Sequence, residues 1–152
     1  MNVKNTVIEK QEEAFSFLKD NSLLEYRLVL ITDIIRKMKD SLNVAIAGAT
    51  GYIGLELIEI LSKHPKVKIL YLCANQSAGK SIYTFDKRIN LKNLPKISKI
   101  ENINWNKINI LFTSLPNGEA QKIAKFAPKS VKLIDLSADF RLDDFKLYKK
   151  WY

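Results

Sequence analysis

Three stretches of the chain carry residues whose types and spacing could do chemistry: "GATGYIG" at 48–54, "ANQSAGKS" at 74–81, and the pair Tyr83 and Lys87. Gly48, Gly51 and Gly54 follow the apolar run "NVAIAG" and lead straight into "YIGLELIEILSKH". A pyrophosphate needs that setting. One glycine permits a tight turn, another lets the backbone approach the phosphates, and a third lets a helix pack close to its strand, while the first helical amides stay available to an anion. The spacing is GxxGxxG rather than GxGxxG, and a strand-to-helix turn without any ligand is the alternative reading.

"ANQSAGKS" fits a loose P-loop pattern, which would make it a nucleotide triphosphate site. A P-loop needs its Gly-Lys-Ser to open a helix. Here "SIYTFDKRINL" follows, rich in β-branched and aromatic residues and without a helical apolar period. A P-loop also leaves the upstream glycines unexplained, whereas a dinucleotide reading uses both stretches. An NAD site usually sets an acidic residue at the end of the second strand, roughly 20 residues past the glycine turn. "CANQSAGK" has no acid there; Asn75, Gln76, Ser77 and Lys80 instead suit a 2′-phosphate, so NADP(H) is favoured over NAD.

Tyr83 and Lys87 have the Tyr-x-x-x-Lys spacing of short-chain dehydrogenases, where the pair sits on a much later helix; here it reads as coincidence. Cys73 ends an apolar run with no histidine nearby in sequence, and a buried structural thiol is the simpler reading. His64, just before Pro65, is expected beside the carbonyls that end a helix. Asp135, Asp139 and Arg141 are the remaining candidates for chemistry, either as a strand-end turn braced by ion pairs or in a direct role at a domain boundary. No catalytic residue and no metal ligand is assigned.

The elements that must hold these residues alternate. "NVAIAG", "KVKILYLC", "INILFTS" and "VKLIDLS" read as strands, and "YIGLELIEILSKH" and "GEAQKIAKFA" as helices between them; "KISKIEN" is one further possible strand. Near-continuous apolar strands separated by helices imply a parallel sheet covered on both faces. The fold class is α/β: a Rossmann-like doubly wound parallel sheet over residues 42–152, incomplete, with an N-terminal helical extension. In that extension, residues 1–41, Phe15, Leu18, Leu24, Leu28, Ile31, Ile34, Ile35 and Met38 recur at helical spacing. It is either a partner-binding segment, a cover for an apolar patch, or a stretch lying upstream of a start at Met38.

The composition narrows the function classes. One cysteine and one histidine exclude a disulfide framework and a cysteine zinc cluster. The net charge of +9 invites nucleic acid, but the lysines are dispersed and no basic run is interleaved with stacking aromatics, so small anionic ligands fit better. No run reaches the ~18 apolar residues of a membrane span, and the acidic N-terminus is unlike a secretory signal. The expected compartment is the cytoplasm.

"GATGYIG", "SAGK", "LPNGEA" and above all "LIDLSADFRL", in this order, resemble the N-terminal part of the N-acetyl-gamma-glutamyl-phosphate reductases, over residues 43–152. Aspartate-semialdehyde dehydrogenases share the glycine loop and an "SAGK"-like stretch and are the alternative. The resemblance implies NADPH-dependent reduction of a small acyl phosphate to an aldehyde in arginine biosynthesis, through a cysteine thioester with a histidine as acid/base, and allows a homo-oligomer. By position it implies that Gly48, Thr50, Gly51, Tyr52, Ile53 and Gly54 contact the pyrophosphate. It sets Ser77 and Lys80 near the adenosine ribose, and Ser114, Pro116 and Asn117 on the nicotinamide side.

Two departures stand out: Asn75 lies where the family often has a nearby arginine, and Asn117 where it often has a histidine. The family's nucleophilic cysteine and catalytic histidine lie beyond the final "WY", so the chain is expected to bind NADP(H) and turn over nothing by itself. A self-sufficient, non-catalytic nucleotide-binding module is the competing class.

Overall fold

The computed structural model describes residues 41–151 apart from 90 and 92. The expected helical extension therefore lies outside the described residues. Strand β1, Leu42–Ala47, is apolar at nearly every position and almost wholly buried, as a central strand flanked on both faces must be. The glycine turn carries it into helix α1, Tyr52–Ser62. That helix buries Gly54, Leu57, Ile58 and Leu61 along one stripe. It stops where Lys63 N–H turns back to the Ile60 carbonyl and His64 N–H to that of Leu61, followed by Pro65, which has no N–H to continue. His64 thus sits at the helix end as expected, and its Nδ1 accepts the N–H of Lys66.

Strand β2, Val67–Cys73, pairs in parallel with β1. The register slips between Val44 and Ala45, leaving Leu70 as an extra residue on β2. Leu70 and Tyr71 consequently pack with the same core cluster, whereas Ile69 and Leu72 belong to the other. A bulge of this kind resets the inward and outward phase of a strand.

The segment after β2 is built of short 3₁₀ turns at Asn75–Ser77, Ile82–Thr84, Ile100–Asn102 and Trp105–Lys107. "KISKIEN" is only partly a strand: β3 is Ile97–Ser98, two residues paired with Leu72 and Cys73, and the chain then turns at Lys99. Strand β4, Ile110–Thr113, helix α2, Glu119–Phe126, and strand β5, Lys132–Asp135, follow; helix α3, Phe145–Trp151, comes last.

The sheet order is β3-β2-β1-β4-β5, all parallel. Val44, Ile46, Leu72, Ile110 and Phe112 pack with the α1 stripe. Ala45, Ala47, Cys73 and Leu111 pack with Ile123 of α2 on the opposite face, together with Ile103, Ile108 and Val131. The chain winds outward from β1 in one direction and then restarts at β4 in the other. Ligands of doubly wound sheets bind where that reversal opens a crevice at the carboxyl ends of the strands, here between β1 and β4.

Candidate functional site

The glycine turn lies at that reversal. Gly48 takes φ +86°, a left-handed conformation that side-chain-bearing residues resist, and a Cβ there would run into the carbonyl oxygen of Ser114 at the end of β4. A Cβ on Gly54 would strike the Gly48 carbonyl oxygen. Gly48 and Gly54 therefore hold the turn tightly between β4 and α1. Gly51 is different: its nearest neighbour for an added Cβ is the Gly48 carbonyl oxygen at 3.4 Å, an ordinary contact. The N–H groups of Gly48 and Ala49 both donate to the Cys73 carbonyl, at 2.9 and 3.1 Å, fastening the turn to the end of β2 as well.

Gly51 is the N-cap of α1, no side chain among the described residues caps it, and no acidic residue lies in the first turn. The opening amides of a helix lack partners within the helix, and a side-chain oxygen at the cap commonly satisfies one of them. Here that role is left open beside a positive dipole end. The observed start at Tyr52 agrees with the position expected from the sequence. Tyr52 is 72% exposed, Thr50 is partly buried, and Ile53 packs against the core, so what Ile53 can offer a ligand is its backbone amide.

Ser114 donates its N–H to the Ala47 carbonyl at 2.9 Å, and its Oγ lies 3.3 Å from the Gly48 carbonyl oxygen. The structure thus brings Ser114 and the glycine turn together. Pro116 and Asn117 are exposed on the connection from β4 to α2. Ser77 ends the 3₁₀ turn that follows β2, and Lys80 N–H donates to the Ser77 carbonyl. The backbone of Gly79 and Lys80 is stitched to Ile97 of β3 by two hydrogen bonds of 2.8 and 2.9 Å. Lys80 Nζ stands 6.0 Å from the Phe85 ring centroid.

Gly-Lys-Ser does not open an α-helix: Ser81 precedes a three-residue 3₁₀ turn. The P-loop reading fails on geometry. Tyr83 belongs to that 3₁₀ turn and Lys87 lies beyond it, so the Tyr-x-x-x-Lys pair shares no helix. Arg88 pins this segment to α1 through Glu56 and Glu59 while also pairing with Asp86. Its hydrogen bond holds the Asp86 carboxyl below the usual carboxylate range.

An open pocket of about 510 Å³ is lined by Asn75, Gln76, Lys99 and Glu101. Lys99 and Glu101 escaped the sequence reading because they follow β3, far along the chain from the second-strand loop they join. Cys73 is buried, its Sγ 3.8 Å from Ser98 Oγ, and burial pushes its thiol up to about 11. At neutral pH it stays a thiol and makes a poor nucleophile. Among the described residues no group of three or more His, Cys, Asp or Glu could hold a metal ion.

Asp135 and Asp139 are braced by hydrogen bonds rather than by the expected ion pairs. Asp135 Oδ1 accepts from Thr113 Oγ1 at 2.7 Å and from Ser137 Oγ at 2.6 Å. Arg141 Nε donates to the Ser137 carbonyl. Asp139 accepts the N–H groups of Gly118 and Gln121 at the start of α2, and the Tyr148 hydroxyl. Burial pushes its carboxyl upward, and these donors outweigh it, leaving it below the ordinary value.

Sheet order, glycine turn and uncapped helix start together define a Rossmann-type α/β domain. The chain belongs to the semialdehyde dehydrogenase family: the model of its NAD binding domain matches residues 43–151. It is 41% identical over 116 residues to the N-acetyl-gamma-glutamyl-phosphate reductase of Ehrlichia chaffeensis, covering 76% of this chain and 34% of that protein. The chain thus spans about a third of the length of the curated relatives it matches. Among solved structures it resembles aspartate semialdehyde dehydrogenase II from Vibrio cholerae, complexed with ASA (TM-score 0.54, 29% identity, 69% of this chain and 30% of that one). It shares its fold with aspartate semialdehyde dehydrogenase with NADP from Candida albicans (TM-score 0.56, 24% identity, 68% and 32%).

Proposed function

We propose that this chain is the cofactor-holding part of an NADPH-dependent N-acetyl-gamma-glutamyl-phosphate reductase, which converts a small acyl phosphate into an aldehyde. The observation that carries the reading is the uncapped start of α1 at the sheet reversal, behind a turn in which Gly48 and Gly54 admit no side chain. That cradle fits a pyrophosphate: it offers helix-start amides, a positive dipole end and an exposed Gly51. The cofactor, when bound, supplies the hydride that reduces the acyl group.

In this reading Gly48, Thr50, Gly51, Tyr52, Ile53 and Gly54 surround the pyrophosphate, Gly48 and Gly51 as turn formers whose N–H groups go to the Cys73 and Gly48 carbonyls, and Ser77 and Lys80 recognise the ribose 2′-phosphate. Ser114, Pro116 and Asn117 flank the nicotinamide. The chain's own part is to bind and orient; its one cysteine, Cys73, is buried with a raised pKa and is unsuited to forming a thioester. The reductase relative, at 41% identity, supports this substrate class over that of the aspartate semialdehyde dehydrogenases, at 29%. No described helix is long and apolar enough to cross a membrane. The reading carries the cytoplasm as compartment.

A fluorescence titration of the chain with NADPH and NADH tests this. NADPH is expected to bind more tightly. Tighter NADH binding contradicts the roles of Ser77 and Lys80, and binding of neither removes the cofactor reading.

A further inference from the structure

Asp139 lies outside the cofactor cradle, yet it is only 3% exposed and joins three parts of the chain. Its Oδ1 accepts the Gly118 N–H at 2.6 Å and the Tyr148 hydroxyl at 3.0 Å, and its Oδ2 accepts the Gln121 N–H at 3.0 Å. Its carbonyl accepts Gln121 Nε2 at 2.9 Å. The turn after β5, the start of α2 and helix α3 therefore meet on one carboxylate.

A helix cap is ordinarily supplied by the residue at the cap itself. Here the N-cap is Gly118, at φ +87°, which has no side chain to offer, and the carboxylate comes from 21 residues away. Fixing the Gly118 N–H fixes the peptide plane between Asn117 and Gly118, since that plane is rigid. The Glu119 N–H also bonds back to the Pro116 carbonyl. The exposed turn Pro116–Asn117 is thus clamped from both of its peptide partners in α2. A purely local cap would secure α2 equally well without any tie to α3.

We propose that Asp139 is a positioning residue: through Gly118 it sets the Pro116–Asn117 turn against the nicotinamide end of the cofactor, and through Tyr148 it ties that setting to α3. The proposal rests on the cofactor reading above. Its particular consequence is asymmetry. Loosening Asp139 weakens the hold on the nicotinamide half of the dinucleotide and leaves the adenosine half, held by the glycine turn and the β2 loop, as it was.

The test compares NADPH with 2′,5′-ADP, which lacks the nicotinamide half, in the 152-residue chain and its Asp139→Asn and Tyr148→Phe variants. Asp139→Asn is expected to weaken NADPH about fivefold and 2′,5′-ADP by less than about twofold, with faster hydrogen exchange at the Gly118 and Gln121 amides. Tyr148→Phe, which keeps the carboxylate, shifts the same ratio by a smaller factor and carries the test if Asp139→Asn does not fold. Equal weakening of both ligands makes Asp139 a structural brace and overturns the proposal, as does an unchanged NADPH affinity in the two variants. Failure of the unmodified chain to bind either ligand instead sinks the cofactor reading beneath it.

Discussion

Helices α1 and α2 each begin with a glycine N-cap after a strand of the same sheet, extended at Gly51 and left-handed at Gly118, and they treat their first amides oppositely. The start of α2 is filled by the carboxylate of Asp139, while that of α1 receives no side-chain cap among the described residues. A glycine cap forgoes only roughly a few tenths of a kcal/mol against aspartate, so the contrast lies less in stability than in use: one end is braced internally and the other leaves its first amides without a side-chain partner. The two ends stand on opposite sides of the sheet reversal, α1 following β1 and α2 following β4.

The comparison breaks most severely where α1 loses its close approach. Gly54→Val drives a branched side chain into the Gly48 carbonyl and should cost about 3 kcal/mol or more in urea unfolding. A cost below about 1 kcal/mol would show that α1 can back away from the turn. Gly51→Asp makes α1 resemble α2. Gly51 already has the extended backbone of a cap, at φ −77° and ψ 162°, so the aspartate should stabilise the chain by a few tenths of a kcal/mol, roughly, while weakening NADPH about tenfold. Stability and binding moving in the same direction would contradict the division of labour.

The filled end should respond to acid. The Asp139 carboxyl lies below its ordinary value of 3.8 when folded, so its contribution is fully present above that value and is lost as pH falls through the lowered one. Stability measured from pH 7 down to pH ~2.5 should fall more steeply in the unmodified chain than in Asp139→Asn. Parallel curves would assign the acid response to other carboxylates. The smallest effect is expected at the ribose end, where Lys80→Ala and Lys99→Ala should each lower the NADPH-to-NADH preference about threefold. Comparing the two identifies which cation does more, Lys80 beside Phe85 or Lys99 in the pocket with Asn75 and Gln76.

The open end was legible in the sequence because its signals are local: an apolar strand, three glycines at fixed intervals and an amphipathic helix occupy one continuous stretch. Helix α1 starts at Tyr52 where those signals put it. The filled end was not legible, since Asp139 meets Gly118 and Gln121 across 21 and 18 residues and no local pattern links them. Residue type marks Asp139 as a candidate, but the partners it finds are backbone N–H groups and the Tyr148 hydroxyl rather than the expected ion pairs. "KISKIEN" is a strand only in part, for a related reason: its β-branched isoleucines suit a strand, whereas pairing with β2 continues for two residues only.

The extra residue in β2 has a consequence for how the domain tolerates changes of length. Leu70 has no partner on β1, and the pairing resumes beyond it with Ala45 opposite Tyr71 and Ala47 opposite Cys73, whose carbonyl takes the two amides at the start of the glycine turn. Deleting Leu70 would leave every β1–β2 pair in place, Ala47 opposite Cys73 included, and would take one apolar side chain out of the cluster beneath α2. The irregular spot is spare length: a shorter β2 would forfeit packing under α2 and still moor the glycine turn.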